Sequence, residues 1–200
     1  MNATDHIGKA FAIGLAQEQE IHSKWVAIAG KLATISGVAH WGSSASDSRL
    51  DLLLLAMERD CLEHLKNPKP HEFILSHDIF MSLSECWVLR TYEVIRAAWE
   101  RSGKPIEGKL SQFKHRLGLV RVPIAKGEIQ HPKNFKETIL LGKMGEPESA
   151  PYAPNGSYII PRTVCLETGA VMWVTIDVKS HQSVEICRRD LSNEFLALFD

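Results

Sequence analysis

The centre of the chain, residues 79–101, carries three polar side chains that could serve a ligand-binding site. Tyr92, Glu93 and Arg96 supply a phenol, a carboxylate and a guanidinium within about one turn of a predicted helix. Together they could line a ligand pocket, with the guanidinium holding a phosphate. Glu93 also precedes Arg96 by three residues, the spacing of an ion pair along a helix. Because such pairs are common, the pattern favours a scaffold helix over a pocket.

Positive charge is concentrated in residues 104–136, which we call the cationic segment. It holds eight Lys or Arg against two Glu, a local charge of +6 in a chain whose net charge is −1. This asymmetry indicates either an anion-facing surface or a solvated one whose cations pair with acids elsewhere. As a nucleic-acid surface it would use Arg for two-pronged phosphate contacts and Lys for point charge. The candidate binding residues are Lys114, Arg116, Arg121 and Lys126.

A short motif earlier in the chain, Arg59-Asp60-Cys61-Leu62-Glu63-His64, resembles the Arg–polar–His motif of HEPN domains. These are all-helical bundles found in many toxin, antiviral and RNA-processing ribonucleases. The resemblance implies metal-independent RNA cleavage, often across a homodimer, in which His64 moves a proton and Arg59 steadies the phosphate. The alternative is that these residues only stabilise their own helix. Asp60 and His64 are four residues apart, and a His in the last turn interacts favourably with the helix dipole.

Other catalytic motifs are missing from the sequence. His64, His71, His77 and Asp78 place four possible metal ligands within fifteen residues, but their spacing matches no zinc signature. There is no Gly-x-Ser-x-Gly nucleophile motif and no glycine-rich phosphate or dinucleotide loop. We therefore predict no metal site and no cofactor, and we exclude kinase, P-loop and Rossmann functions.

Four helices are expected to position these residues. Apolar residues recur at helical spacing over residues 8–35, and a loop rich in Gly and Ser is predicted over 37–48. A second helix is expected from Ser48, with Asp51 completing a capping box, to residue 66, followed by a connector at 69–73. The third helix is expected over 78–102. Its apolar face is predicted to carry Phe80, Leu83, Trp87, Thr91, Val94 and Ala98. The fourth is expected over 105–117, opening on Pro105 and closing at Gly118.

The periodicity changes after residue 142. Residues 143–156 read as a linker, and strands are predicted at 157–166, 170–177 and 183–187. Glu167-Thr168-Gly169 is typical of a hairpin turn with Gly in the left-handed position. A last helix is expected over 189–199. The fold class is therefore α+β, with a helical domain at 1–142 and a small sheet plus C-terminal helix at 157–200.

Composition points to a cytoplasmic protein. The length and the 44% content of hydrophobic residues suit a globular chain with a sizeable core. The four cysteines form no CxxC pair, which is typical of a reducing compartment. No stretch approaches the roughly 20 apolar residues of a membrane span.

Two functions from different classes remain. The first is a non-enzymatic protein that binds a protein partner, or a second copy of itself, through its helical body. The second is a HEPN-like ribonuclease or RNA-binding protein that uses Arg59 and His64, with residues 114–126 gripping RNA. The sequence does not decide whether the protein is an enzyme.

Overall fold

A computed structural model describes residues 2–68, 74–134, 138–142 and 149–200. The fold is α+β, as predicted: helices build most of the described chain, and two small antiparallel sheets and a helix follow. None of the described helices is long and apolar enough to cross a bilayer. The α-helices are α1 (Ala3–Gln17), α2 (Gln19–Ser36), α3 (Ala39–Lys66), α4 (Ile74–Arg101), α5 (Lys109–Lys126) and α6 (Arg188–Leu196), and a 3₁₀ turn spans Pro132–Asn134. The strands are β1 (Leu140–Gly142), β2 (Ser149–Pro151), β3 (Arg162–Val164), β4 (Val171–Asp177) and β5 (Gln182–Cys187).

The first predicted helix is two helices. A capping box starts α1, because the Asn2 side chain accepts from the Asp5 N–H (3.0 Å) and the Asp5 carboxylate accepts from the Asn2 N–H (3.1 Å). The chain leaves helical geometry at Glu18 and resumes it in α2. The periodicity continues across this break, so the apolar pattern alone did not reveal it.

The predicted loop over 37–48 is wrong, because α3 begins at Ala39. Ser44 and Ser48 donate their hydroxyls to carbonyls of their own helix, at 2.8 Å each, so the serine-rich stretch stays helical. Asp51 therefore caps nothing and lies buried in mid-helix. The predicted end at residue 66 is confirmed, and the connector at 69–73 lies outside the described residues.

The next two helices also differ from the prediction. Helix α4 begins at Ile74, before the predicted start, and ends at Arg101, one residue before the predicted end. Helix α5 excludes Pro105, runs through Gly118 and ends at Lys126, where Gly127 is the C-cap with a φ of 62°. Pro105 and Gly118 misled the prediction, since Pro105 opens no helix and Gly118 closes none; Pro123 also lies inside the last turns of α5.

The C-terminal strands follow the sequence closely. Strands β3, β4 and β5 form one antiparallel sheet in that order. Gly169 has a φ of 72°, which confirms the predicted left-handed turn residue. The predicted strand over 157–166 shrinks to β3, and α6 ends at Leu196 rather than at 199. The pairing of β1 with β2 was not predicted, and β2 lies within the predicted linker.

Aromatic side chains from distant segments meet in the core. Trp25 of α2 stacks on Phe195 of α6 with ring centroids 4.0 Å apart, and its edge meets Trp87 of α4 at 6.4 Å. Trp173 of β4 is completely buried in the same cluster. The face of α4 predicted to be apolar is therefore the buried face, and the C-terminal sheet and helix pack on the same core as the helices.

A buried ion cluster ties α6 to α3. The guanidinium of Arg188 is fully buried and donates to both Asp51 and Glu58, which lie seven residues apart on one face of α3. Asp51 also accepts from Trp25 Nε1 at 2.9 Å and from Ser192 Oγ at 2.8 Å. Burial by itself would lower the pKa of Arg188, but the two carboxylates raise it above its usual range.

Candidate functional site

Three histidines from three separate segments line one cavity of about 210 Å³, which we call the imidazole cavity. His115 comes from the middle of α5, His131 from the chain just after α5, and His181 from the turn between β4 and β5. The helix, the segment that follows it and the hairpin turn therefore meet here. The full lining is His115, Leu119, Gln130, His131, Asp177, Val178, Lys179 and His181.

A carboxylate orients one of these imidazoles. His115 Nε2 lies 3.2 Å from Asp177 Oδ1, and both side chains are mostly buried. The same carboxylate oxygen accepts the Lys179 N–H at 2.9 Å, which closes the turn after β4 and fixes the aspartate. Burial would raise the pKa of Asp177, but these two hydrogen bonds and the nearby positive charges lower it overall. Asp177 therefore stays ionised and holds the His115 ring in one orientation.

The second imidazole lies in a positive environment. Desolvation by the cavity wall lowers the pKa of His131, and His115, Lys114 and Lys179 lower it further. His131 is therefore neutral near pH 7 and can accept a proton. Lys114 also has a lowered pKa, chiefly because of burial, and its Nζ lies 3.9 Å from the centre of the Trp99 ring.

A buried amide completes the cavity wall. Gln130 is 7% exposed, and its Oε1 accepts no hydrogen bond from any described residue. An unpaired buried acceptor is costly, so a hydrogen-bond donor on a ligand would be stabilised at this position. The amide lies directly against Gly118 of α5, where a Cβ would overlap it. Glycine at this position thus lets the glutamine pack against the helix.

The arrangement can bind an anion and move protons. Two lysines, Lys179 in the lining and Lys114 close to His131, outnumber the single carboxylate of Asp177, so the cavity attracts negative charge. One imidazole is oriented by a carboxylate and another is neutral near pH 7, which are the properties of an acid–base pair. Sequence reasoning missed this site because Asp177 is 62 residues from His115 and no motif joins them. The only signal was that two of the histidines lie within the cationic segment.

The residues of the HEPN resemblance lie elsewhere, on α3. Arg59 of α3 binds Glu18 and Gln17 at the α1–α2 break, so its guanidinium joins α3 to the junction of α1 and α2. His64 is half-buried near the end of α3. Positions five residues apart point about 140° away from each other around a helix. Neither residue lines the imidazole cavity, and the HEPN resemblance stays a prediction.

The four cations predicted to bind nucleic acid lie in different surroundings on α5. Arg116 forms an ion pair with Glu194 of α6. Arg121 lies 3.3 Å from Glu93 and packs over the Tyr92 ring at 5.2 Å. Lys126 is exposed in the last turn, and Lys114 adjoins the imidazole cavity as described above. The two arginines thus have protein partners.

The pocket candidates on α4 belong to a surface ion-pair network. Arg96 donates to Glu93 at 2.8 Å and to Glu100 at 2.7 Å, and Glu93 also pairs with Arg121. Burial raises the pKa of Tyr92, against the opposing charge of Arg121. These contacts are those of the scaffold helix that the sequence favoured.

Within the described ranges, no group of three or more His, Cys, Asp or Glu side chains is arranged to hold a metal ion. Comparison of the chain with protein-family models, with curated proteins and with solved structures found no match. The geometry of the imidazole cavity is therefore the basis on which a function is proposed.

Proposed function

We propose that the protein cleaves single-stranded RNA by metal-independent acid–base chemistry in the imidazole cavity. One observation carries the proposal: His115, held by Asp177 at 3.2 Å, shares a cavity with His131, whose pKa is lowered. Of two imidazoles in one cavity, one can remove a proton while the other delivers one in a single reaction. The proposal takes up the ribonuclease function that was the alternative prediction from the sequence, and it assigns that function to different residues.

The proposed reaction gives one role to each of three cavity residues. Neutral His131 takes the proton of a ribose 2′-hydroxyl, and the 2′-oxygen attacks the adjacent phosphorus. The bond from phosphorus to the 5′-oxygen breaks, and protonated His115 donates its proton to that leaving oxygen. Lys179 balances the charge that develops on the phosphoryl oxygens. The products are a 2′,3′-cyclic phosphate and a 5′-hydroxyl end.

The charge of the surroundings supports RNA as the substrate. The nucleophile in this reaction is the ribose 2′-hydroxyl, which DNA lacks. Lys114 beside the cavity and Lys126 at the end of α5 add positive charge along the helix that carries His115. Such charges hold the phosphates of a flexible strand without reading its sequence.

The test is cleavage of a fluorescent single-stranded RNA in the presence of EDTA. We expect His115→Ala and His131→Ala each to lower the rate by about 10²–10⁴-fold, the usual contribution of a general acid or base. His64→Ala should leave the rate unchanged, because His64 does not line the cavity. Replacing the attacking ribose with 2′-deoxyribose should stop cleavage.

Each alternative has its own outcome. Loss of activity in His64→Ala but not in His115→Ala would transfer the site to the HEPN-like residues. Loss in none of the variants would exclude both sites. If the wild-type protein leaves every RNA intact, the non-enzymatic, partner-binding hypothesis takes precedence.

A further inference from the structure

A second cavity, of about 220 Å³, lies between α2 and α3 and is independent of the proposed reaction. We call it the α2–α3 groove. The residues from each helix recur at three- and four-residue spacing, so each helix contributes one stripe. They are His22, Trp25, Val26 and Ala29 from α2, and Trp41, Ser44, Ala45, Ser48 and Arg49 from α3.

The middle of the α2–α3 groove is apolar. Ala29 and Ala45 leave the space between the helices unfilled. The hydroxyls of Ser44 and Ser48 are bound to backbone carbonyls of α3, so their donors are already used. Trp25 is likewise committed through its Nε1 to Asp51 at 2.9 Å. An apolar cavity of about 150 Å³ holds a benzene ring, so this groove has room for a larger aromatic group.

The two ends of the groove differ in character. Trp41 lies in the first turn of α3 and is 52% exposed, which is unusual for so large an apolar side chain. Arg49 is two turns further along α3, roughly 12 Å away, and it is exposed. Among the described residues Arg49 has no ion-pair partner, and His22 of α2 lines the same groove.

We propose that the α2–α3 groove binds a small aromatic carboxylate. The ring lies between Ala29 and Ala45 and packs against Trp41, where its apolar surface leaves water. The carboxylate lies at the other end, where Arg49 offers two parallel N–H donors and His22 a further nitrogen. The length of the groove and the cation at one end select this class over neutral or purely aliphatic ligands.

The test uses two probes of nearly equal shape, indole-3-acetate and neutral indole-3-acetamide, in ligand-observed NMR titrations. We expect saturable binding of the acid with a Kd on the order of 1 mM, typical of a ligand this small. The amide should bind about two- to fivefold more weakly, the size expected of an exposed ion pair. Arg49→Gln should remove that preference, whereas Lys66→Gln, at the exposed end of the same helix, should keep it.

Two further variants test the location. Ala45→Leu should abolish binding of both probes by filling the groove, and Ala27→Leu, on the exposed side of α2, should not. Trp41→Ala, at an exposed position, should weaken both probes even if Ala45→Leu fails to fold. Unchanged binding in Trp41→Ala would overturn the proposal. Absence of saturable binding to the wild-type protein would also overturn it. So would a wild-type dimer in size-exclusion chromatography that dissociates in Trp41→Ala, because a second copy of the chain would then fill the groove.

Discussion

The buried guanidinium of Arg188 joins α6 to α3 through two carboxylates. It is fully buried at the start of α6, and it donates to Asp51 and Glu58 of α3 while facing the Trp87 ring at 5.6 Å. One side chain thus compensates two buried carboxylates. Removing it leaves both charges in the core without their principal partner.

Arg188→Met fills a similar volume without the charge, so its effect isolates the electrostatics. Removing one partner of a buried pair costs about 3–5 kcal/mol. In the variant, Ser192 still donates to Asp51 at 2.8 Å and Arg189 still donates to Glu58 at 2.6 Å. Because both carboxylates keep one donor, the loss in the free energy of unfolding should stay within that range even though Arg188 pairs with two of them. For a chain of this size, a loss of this magnitude lowers Tm by about 6–20 °C. Urea unfolding followed by circular dichroism, with Tm measured in parallel, gives both values.

Arg116→Met is the matched control, because Arg116 pairs with Glu194 while about a third of each side chain stays exposed. It should cost less than about 1 kcal/mol. Adding Asp51→Asn and Glu58→Gln to Arg188→Met should restore part of the stability, because the unpaired charges are then gone. Equal losses for Arg188→Met and Arg116→Met, or no recovery in the combined variant, would refute this account of the ion cluster.

Three further predictions concern other segments. Gly169→Ala should lower the free energy of unfolding by at least about 2 kcal/mol. Residue 169 has a φ of 72°, and a Cβ there overlaps a backbone carbonyl of α3. Gly156→Ala has a similar φ, but its Cβ would only reach ordinary contact with the Lys126 carbonyl oxygen at 3.6 Å, so urea unfolding should show a smaller loss. Gly30→Ala, at an open position of α2, should raise the free energy of unfolding by about 0.5–1 kcal/mol. Gly118→Ala should give no such increase, because its Cβ collides with the buried amide of the imidazole cavity. The lowered pKa of His131 means that the unfolded chain binds its proton at a higher pH than the folded chain does. The free energy of unfolding should therefore decrease as the pH is lowered from about 7.5 to 5.5. The decrease should be smaller in His131→Asn, a variant chosen because Asn tolerates the positive φ of 54° at this position. Equal dependence of Tm on pH in the two proteins would contradict this.

Local sequence determined much of the architecture. The apolar face of α4, the strands β4 and β5 and the left-handed Gly169 turn were all predicted. These features depend on side-chain periodicity and on the φ preference of a single residue, both of which are properties of neighbouring residues. The errors came from local rules that tertiary contacts override. The serine-rich stretch before Asp51 became helix, and Gly118 lies inside α5 because a buried glutamine packs against it.

The sites depended on distant partners. Asp51 and Glu58 look like ordinary helix acids in the sequence, and only Arg188, at least 130 residues away, explains why they are buried. No motif in the sequence distinguishes His115 from the other eight histidines. In the structure it differs because Asp177, at the β4–β5 turn, lies beside it. The sequence by itself therefore determined the α+β class and most of its elements. The tertiary structure decided which charges are buried and which histidines meet, because these depend on the packing of segments far apart in the chain.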